Sequence, residues 1–188
     1  MAEHRSPDDS DLTADCLAGV SAYAPQEPDQ QRLRAEVLTH LRGTEQGWSR
    51  ACPGAHVTAS ALICSPRADR VLLIRHRKLT LWLQTGGHIE PTDRTLASAA
   101  LREATEESGL PNLRLVPGIV HIDRHEVPCG PVRPTFHLDV RFLVIGDANE
   151  VPGTNAEVED GRWFAVDELP TDEPSVLTLV TRAQQRLG

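Results

Sequence analysis

Residues 86–110, GGHIEPTDRTLASAALREATEESGL, constrain this chain more than any other stretch. Gly86-Gly87 reads as a glycine turn, since a glycine pair admits backbone angles closed to other residues and lets the chain approach a ligand closely. A short polar loop follows. The pattern then predicts an amphipathic helix from Thr95, whose hydroxyl can cap it, to Gly109, with Pro111 blocking continuation. At about 100° per residue, Glu103, Glu106 and Glu107 fall within an arc of roughly 100° on one face. Three carboxylates that close together repel one another. Such a cluster is tolerable if water screens it or a cation neutralises it, and hard, oxygen-preferring divalent ions such as Mg²⁺ suit it. Leu96, Ala99 and Ala100 precede the glutamates on the same broad face, while Ala97, Leu101 and Ala104 lie beside it. The small alanines imply close packing of the helix on a sheet.

The rest of the composition narrows what such a helix serves. A chain of 188 residues, 39% hydrophobic and 24% charged, suits one domain with a full core and is short for two. Its net charge of −8 argues against a nucleic-acid polymer as partner. An acidic protein that handles phosphates needs a metal to mediate the encounter, which agrees with the glutamate cluster. Cys16, Cys52, Cys64 and Cys129 form no CxxC pair and no regular spacing, so a reduced, cytoplasmic protein is expected, with Cys64 as a small core residue. The N-terminus, MAEHRSPDDSD, lacks the apolar centre of a signal peptide, and no apolar run is long enough to cross a membrane.

In order, residues 1 to about 9 read as a loose tail and Leu12 to Tyr23 as a short helix interrupted by Gly19. Leu33, Val37, Leu38 and Leu41 predict a helix over 30–42, with Asp29 as N-cap. Residues 1–50 thus form a tail and helical extension packed on a domain at 51–188. His56–Cys64 and Val71–Ile74 read as a hairpin turned at Pro66–Asp69. Arg75, His76, Arg77 and Lys78 follow, either as a solvated strand end or as a phosphate-facing rim in which Arg75 and Arg77 contact substrate.

Beyond Pro111, Leu115–His125 reads as a strand, Pro128–Pro134 as a turn, and Phe136–Val144 as the cleanest strand of all. Arg162–Val166 is a further short strand. A C-terminal helix should turn Val176, Leu177, Val180 and Leu187 inward. His121, Asp123 and His125 share one strand face, as do His137 and Asp139 on the next. If those strands pair, the residues gather into a polar patch. Three uses stay open: a zinc or manganese site built from His and Asp, substrate contacts by His121, His125, His137 and Asp139, or a solvated sheet face. His88, beside the glycine pair, is a further substrate-contact candidate.

The 86–110 stretch resembles the signature of the Nudix hydrolases, G-x5-E-x7-R-E-U-x-E-E-x-G-U, where U is a bulky aliphatic. Arg102-Glu103-Ala104-Thr105-Glu106-Glu107-Ser108-Gly109-Leu110 matches closely, with Ala104 smaller than usual. Counted from Gly87, the loop acid is Asp93 rather than glutamate, and eight residues rather than seven separate it from Arg102. The inserted residue leaves the helical spacing intact and leaves open whether Asp93 or Glu90 supports the signature arginine. The Arg162-Trp163-Phe164 strand followed by Asp167-Glu168-Leu169 also resembles the end of many Nudix domains.

The resemblance implies an α/β (α+β) fold, an α/β/α sandwich with a central mixed sheet and the signature loop-helix. Glu103, Glu106, Glu107 and the Gly86 carbonyl would hold Mg²⁺, with Mn²⁺ as a substitute. Glu103, Glu106 and Arg102 would form the catalytic set, and a signature glutamate or a later one, Glu157 or Glu159, would take the proton from water. The implied reaction is hydrolysis of a nucleoside diphosphate linked to another moiety, a small-molecule diphosphate, by a chain that pairs as a homodimer in many relatives. The alternative is a silent Nudix-like domain that binds a nucleotide without cleaving it. Retention of all three glutamates argues for the hydrolase.

Overall fold

The computed structural model describes residues 7–128 and 132–188, with side chains from Asp11 onward. Cys129 and part of the Pro128–Pro134 turn lie outside the described residues, as do the first six residues of the expected tail. From Pro7 the chain is already helical, so α1 (Pro7–Ala22) starts earlier than expected and carries Gly19 within it. Leu12, Cys16 and Val20 recur every fourth residue and are each no more than 2% exposed. Packing of that seam outweighs the weak intrinsic signal. Helix α2 (Pro28–Gly43) has Glu27 at its N-cap position, without a side-chain cap bond, and Pro28 in its first turn. Asp29, expected as the cap, lies inside that turn and pairs with Arg32 at 3.2 Å. Proline needs no N–H partner at the first helical position, and this draws the boundary upstream.

The remaining elements are β1 (Ala55–Cys64), β2 (Arg70–His76), β3 (Trp82–Leu83), β4 (Thr85–His88), α3 (Leu96–Ser108), β5 (Arg114–Val127), β6 (Thr135–Ile145), β7 (Val158–Ala165) and α4 (Pro174–Leu187). The strands form one mixed sheet in the order β3-β2-β1-β6-β5, with β4 also on β1 and β7 on β2. β1 runs parallel to β6 over its whole length and antiparallel to β2 and β4. The expected hairpin is β1–β2. Gly86-Gly87 proves to be strand rather than turn, because β4 pairs with β1 through Ser60↔Gly86 and Ala59↔Gly87.

Two apolar layers follow from strand alternation. Val57, Ala59, Ala61, Ile122, Leu138 and Val140 pack with Ala99, Ala100 and Ala104 of α3 and with the α1–α2 seam. On the other face Leu62, Cys64, Leu143 and Ile145 pack against Val176, Leu179, Val180 and Ala183 of α4. Leu177, expected inward, is 40% exposed, and Leu179 fills the inward position. Spacing decides this: 176, 179, 180 and 183 lie on one helical stripe and 177 does not. The architecture is the expected α/β/α sandwich with an N-terminal helical extension. Among the described residues no helix is long and apolar enough to cross a membrane.

Candidate active site

Local sequence fixes the start of α3. The Thr95 hydroxyl accepts from the Ser98 N–H at 2.9 Å, and the Ser98 hydroxyl accepts from the Thr95 N–H at 2.9 Å, a reciprocal cap. The Leu96 N–H donates to Asp15 of α1 at 2.7 Å, so the N-terminal extension caps the signature helix as well. Gly109 in the left-handed conformation ends it.

Close approach explains both glycines of β4. A Cβ at Gly87 would stand 2.5 to 2.7 Å from the carboxyl group of Glu103, and one at Gly86 would stand 2.7 Å from the Ser60 Cα. Only a bare backbone fits between β1 and the glutamates. The Gly86 N–H then donates to Glu107 Oε2 at 2.8 Å.

Arg102 joins the loop to the helix. Its Nε and Nη2 donate to the two oxygens of Asp93, each at 3.0 Å, a bidentate pair that survives the inserted residue. Nη2 also donates to the His88 carbonyl at 2.9 Å, and Nη1 to Glu103 Oε1 at 2.9 Å and Glu106 Oε2 at 3.2 Å. Asp93 is thus the loop acid. Glu90 contributes backbone instead, its N–H donating to Asp93 Oδ2 at 2.8 Å.

These residues wall a cleft of about 520 Å³. Glu90, Glu103, Glu106, Glu107 and Glu157 line it against only Arg50 and Arg102 as cations. Burial raises the Glu107 pKa to about 8, against the lowering effect of the Gly86 N–H, and Glu103, Glu157 and Glu106 add to the rise. Burial also raises Glu103, against Arg102. The donor set is all oxygen, crowded and short of positive charge, which fits a hard divalent cation. Arg102 takes one oxygen each from Glu103 and Glu106 and leaves the other of each without it.

Of the two later glutamates considered, Glu157 lines this cleft, whereas Glu159 sits 3.7 Å from Arg75 Nε. Arg77 Nε donates to the Ala156 carbonyl, which places Arg77 behind the cleft-lining loop. Asn155 of that loop donates to the Glu106 carbonyl at 2.9 Å. Arg50 and Asn155 had no sequence signal beyond being single polar residues in loops.

The histidine face divides in two. β5 and β6 do pair, with His121↔Arg141, Asp123↔Asp139 and His125↔His137 in register. Asp139 is 2% exposed and accepts from Thr58, Ser60 and Arg141, at 3.0, 2.8 and 2.7 Å. His121 is 9% exposed and accepts from the Gln30 amide of α2 at 3.0 Å. These two therefore hold sheet and helix together and do not border the carboxylate cleft. His125 is exposed and joined to Asp123 at 2.9 Å. His88 lines the carboxylate cleft, and its ring and that of His137 also converge on His56, a residue with no special sequence signal, with centroids 5.1 and 4.8 Å from it. Cys16, Cys52 and Cys64 are free and buried.

A NUDIX domain model matches residues 54–182. No curated protein matches the chain. Among solved structures, a NUDIX-family hydrolase from Clostridium perfringens is 26% identical, with a TM-score of 0.58 over 71% of this chain and 98% of its own. A UDP-X diphosphatase is 18% identical, with a TM-score of 0.53 over 93% of this chain and 90% of its own. The NUDIX domain of Shewanella oneidensis NrtR, complexed with ADP ribose, is 18% identical, with a TM-score of 0.53 over 74% and 92%. With the signature helix, its arginine–aspartate brace and a family match over residues 54–182, the chain belongs to the Nudix family, as a pyrophosphohydrolase of the Nudix type.

Proposed function

We propose that the chain hydrolyses the diphosphate bond of a nucleoside diphosphate linked to another moiety, by attack of water on phosphorus in the α3 cleft. One observation supports this most: five glutamates and two arginines share the cleft, and the buried Glu107 has a backbone N–H but no cation of its own. Glu103, Glu106 and Glu107, with the Gly86 carbonyl, would hold Mg²⁺, for which Mn²⁺ can substitute. The bound cation supplies neutralisation of phosphate charge and acidification of a water. The Nudix family generally uses divalent cations. Arg102 has a positioning role: braced by Asp93, it sets the carboxylates of Glu103 and Glu106 and carries charge close to the phosphates. Glu157, exposed on the cleft-lining loop, would receive the proton of the attacking water, a reading supported by its place in the cleft lining. Arg77, bonded to the Ala156 carbonyl, would back that loop, Arg75 would be held by Glu159, and Arg50, which lines the cleft, would contact phosphate. The substrate class agrees with the UDP-X diphosphatase and with the ADP ribose complex among the similar structures.

The test is chromatographic detection of the nucleoside monophosphate product across sugar nucleotides, ADP-ribose, dinucleoside polyphosphates, NADH and nucleoside triphosphates, with Mg²⁺ and with Mn²⁺. Glu106→Gln and Glu107→Gln should each lower turnover on the best substrate by at least ~100-fold, with the circular dichroism spectrum unchanged. Near wild-type rates in either variant would overturn these roles. Tight nucleotide binding without turnover on the whole panel would mean a silent binding domain instead.

A further inference from the structure

The α3 carboxylates leave unexplained the three imidazoles on the other face of β4. His56 and His137 are direct partners in the parallel β1–β6 ladder, and His88 enters from β4 beside Thr58. Gly87 faces Glu103, so strand alternation sends the neighbouring His88 ring away from the glutamates. One ring nitrogen from each of the three histidines lies within 4.8 Å of the others. His56 is 0% exposed and neither of its ring nitrogens makes a well-formed hydrogen bond, although the Cys52 backbone lies close enough to favour its protonated form, and His88 Nε2 is likewise buried and unpartnered. Orphaned buried polar atoms are costly and rare in folded proteins. Three of them on two imidazoles whose ring centroids lie 5.1 Å apart, in a cluster of three, point to a missing ligand that accepts nitrogen lone pairs.

We propose that His56, His88 and His137 form a second cation site, a three-imidazole centre for a zinc-class divalent ion, separate from the carboxylate site on α3. The chemistry of the donors selects the ion. Asp139, the nearest buried carboxylate on this face, is fully engaged by Thr58, Ser60 and Arg141, and Asp123 by Arg141 and His125. Neutral nitrogen donors without carboxylate suit Zn²⁺, Co²⁺, Ni²⁺ or Cu²⁺ and offer little to Mg²⁺ or Ca²⁺. Tetrahedral zinc with Zn–N of about 2.0–2.1 Å needs ring nitrogens about 3.3 Å apart. The rings must therefore close by about 1.5 Å at most. His88 and His137 are only half-buried and can swing, while His56 is fixed in the core of the sheet. The fourth position is left to water or to an outside ligand. His88 then serves both sites: its ring holds this ion while its carbonyl accepts from Arg102. An ion here would pin β4 to β1 and β6, and with it the glycine pair that carries the signature.

The test uses the full chain after chelator treatment. Titration with Co²⁺ in excess Mg²⁺ should give one equivalent of binding with the visible absorption of a four-coordinate cobalt–nitrogen centre, and Zn²⁺ should displace it. In the unaltered protein, one equivalent of Zn²⁺ should shift the ring nitrogen NMR signals of three histidines. His137→Gln, at the half-buried position, should weaken the site by more than the ~10–100-fold that loss of an outer partner costs. Glu103→Gln should bind as the unaltered chain does. Unshifted imidazole signals, or zinc binding that survives His137→Gln and disappears in Glu103→Gln, would overturn the proposal, the latter by placing the ion on α3.

Discussion

Carboxylates crowd two parts of this molecule and behave in opposite ways. On the sheet face, Asp139 and Asp123 share Arg141, which donates to them at 2.7 and 3.1 Å. Burial works against ionisation of Asp123, but the His125 hydrogen bond and the Arg141 charge prevail and hold its pKa at about 2. In the α3 cleft, burial prevails at Glu107 and carries it to about 8. The difference lies in where the cation comes from. The chain supplies Arg141 from the middle of β6 to one group, whereas in the other Arg102 is already shared among Asp93, Glu103 and Glu106 and does not reach Glu107. An acidic cluster that brings its own arginine is a structural joint. One that lacks it is built to receive a cation from outside.

Removing the internal cation gives the largest expected effect. Arg141→Met leaves Asp139, which is 2% exposed, without its charge partner, and breaking a buried pair from one side costs about 3–5 kcal/mol. For a chain of this size that lowers Tm by about 2–4 °C per kcal/mol. Adding Asp139→Asn should recover part of the loss, since the orphaned charge is then gone. Urea unfolding of the three proteins measures this. A loss below about 1 kcal/mol for Arg141→Met would mean that the strand face does not depend on its own arginine, and the contrast would fail.

The two clusters should also answer pH with opposite sign. Asp123 has a depressed pKa in the folded protein, about 2 against its ordinary 3.8, so its contribution is present above pH 3.8 and is lost as pH falls through 2. The shift is worth up to about 2 kcal/mol. Glu107 is raised from 4.5 to about 8, so its protonated form favours the folded state below pH 4.5 and that support is lost as pH rises through 8. Denaturation at a series of pH values, with a chelator present, should therefore show an acid limb that Asp123→Asn flattens and an alkaline limb that Glu107→Gln flattens. If Glu107→Gln leaves the alkaline limb unchanged, its carboxyl is ionised in the cleft without an added cation.

How far each region was legible depends on whether its information is local. The α3 helix, its Thr95 cap and its Gly109 stop follow from residues within a few positions of each other, and periodicity found them. The N-cap of α2 falls upstream of Asp29 because its cap residue, Glu27, makes no side-chain cap bond, and α1 starts early because its Leu12, Cys16 and Val20 seam is stabilised by packing rather than by local signals. Arg102 could be matched to an acid of the loop, but which acid depended on how an inserted residue folds, a question for three dimensions. Leu177 and Leu179 are equally apolar, and only the position of the sheet chooses between them. The histidine face was visible on β5 and β6 by alternation, yet His56 was not, because its partnership with His137 arises from a parallel pairing of strands some 80 positions apart. Long-range pairing carries little trace in sequence. For the same reason the glycine pair read as a turn: nothing nearby reveals that β1 lies alongside it.

That glycine pair offers the finest test of the contrast, because its two members touch different things. At Gly86 an added methyl would meet the Cα and Cβ of Ser60 at 2.7 and 2.6 Å, which are parts of a paired strand and cannot yield. At Gly87 it would meet only the carboxyl end of Glu103, at 2.5 to 2.7 Å, and that end can rotate away. Gly87→Ala should thus cost less than about 1 kcal/mol of stability, the range of small surface changes. Moving Glu103 also frees Arg102 Nη1 from its 2.9 Å contact and shifts the oxygen that the cleft presents, and misplacement by about 1 Å at a reacting centre costs up to ~100-fold. Turnover at saturating substrate should fall by about 10- to 100-fold, while Gly86→Ala should fail to fold stably. Equal loss of stability in both alanine variants would mean that Glu103 is locked by the fold as Asp139 is, and the cleft would then be a joint like the strand face rather than a receiver of cations.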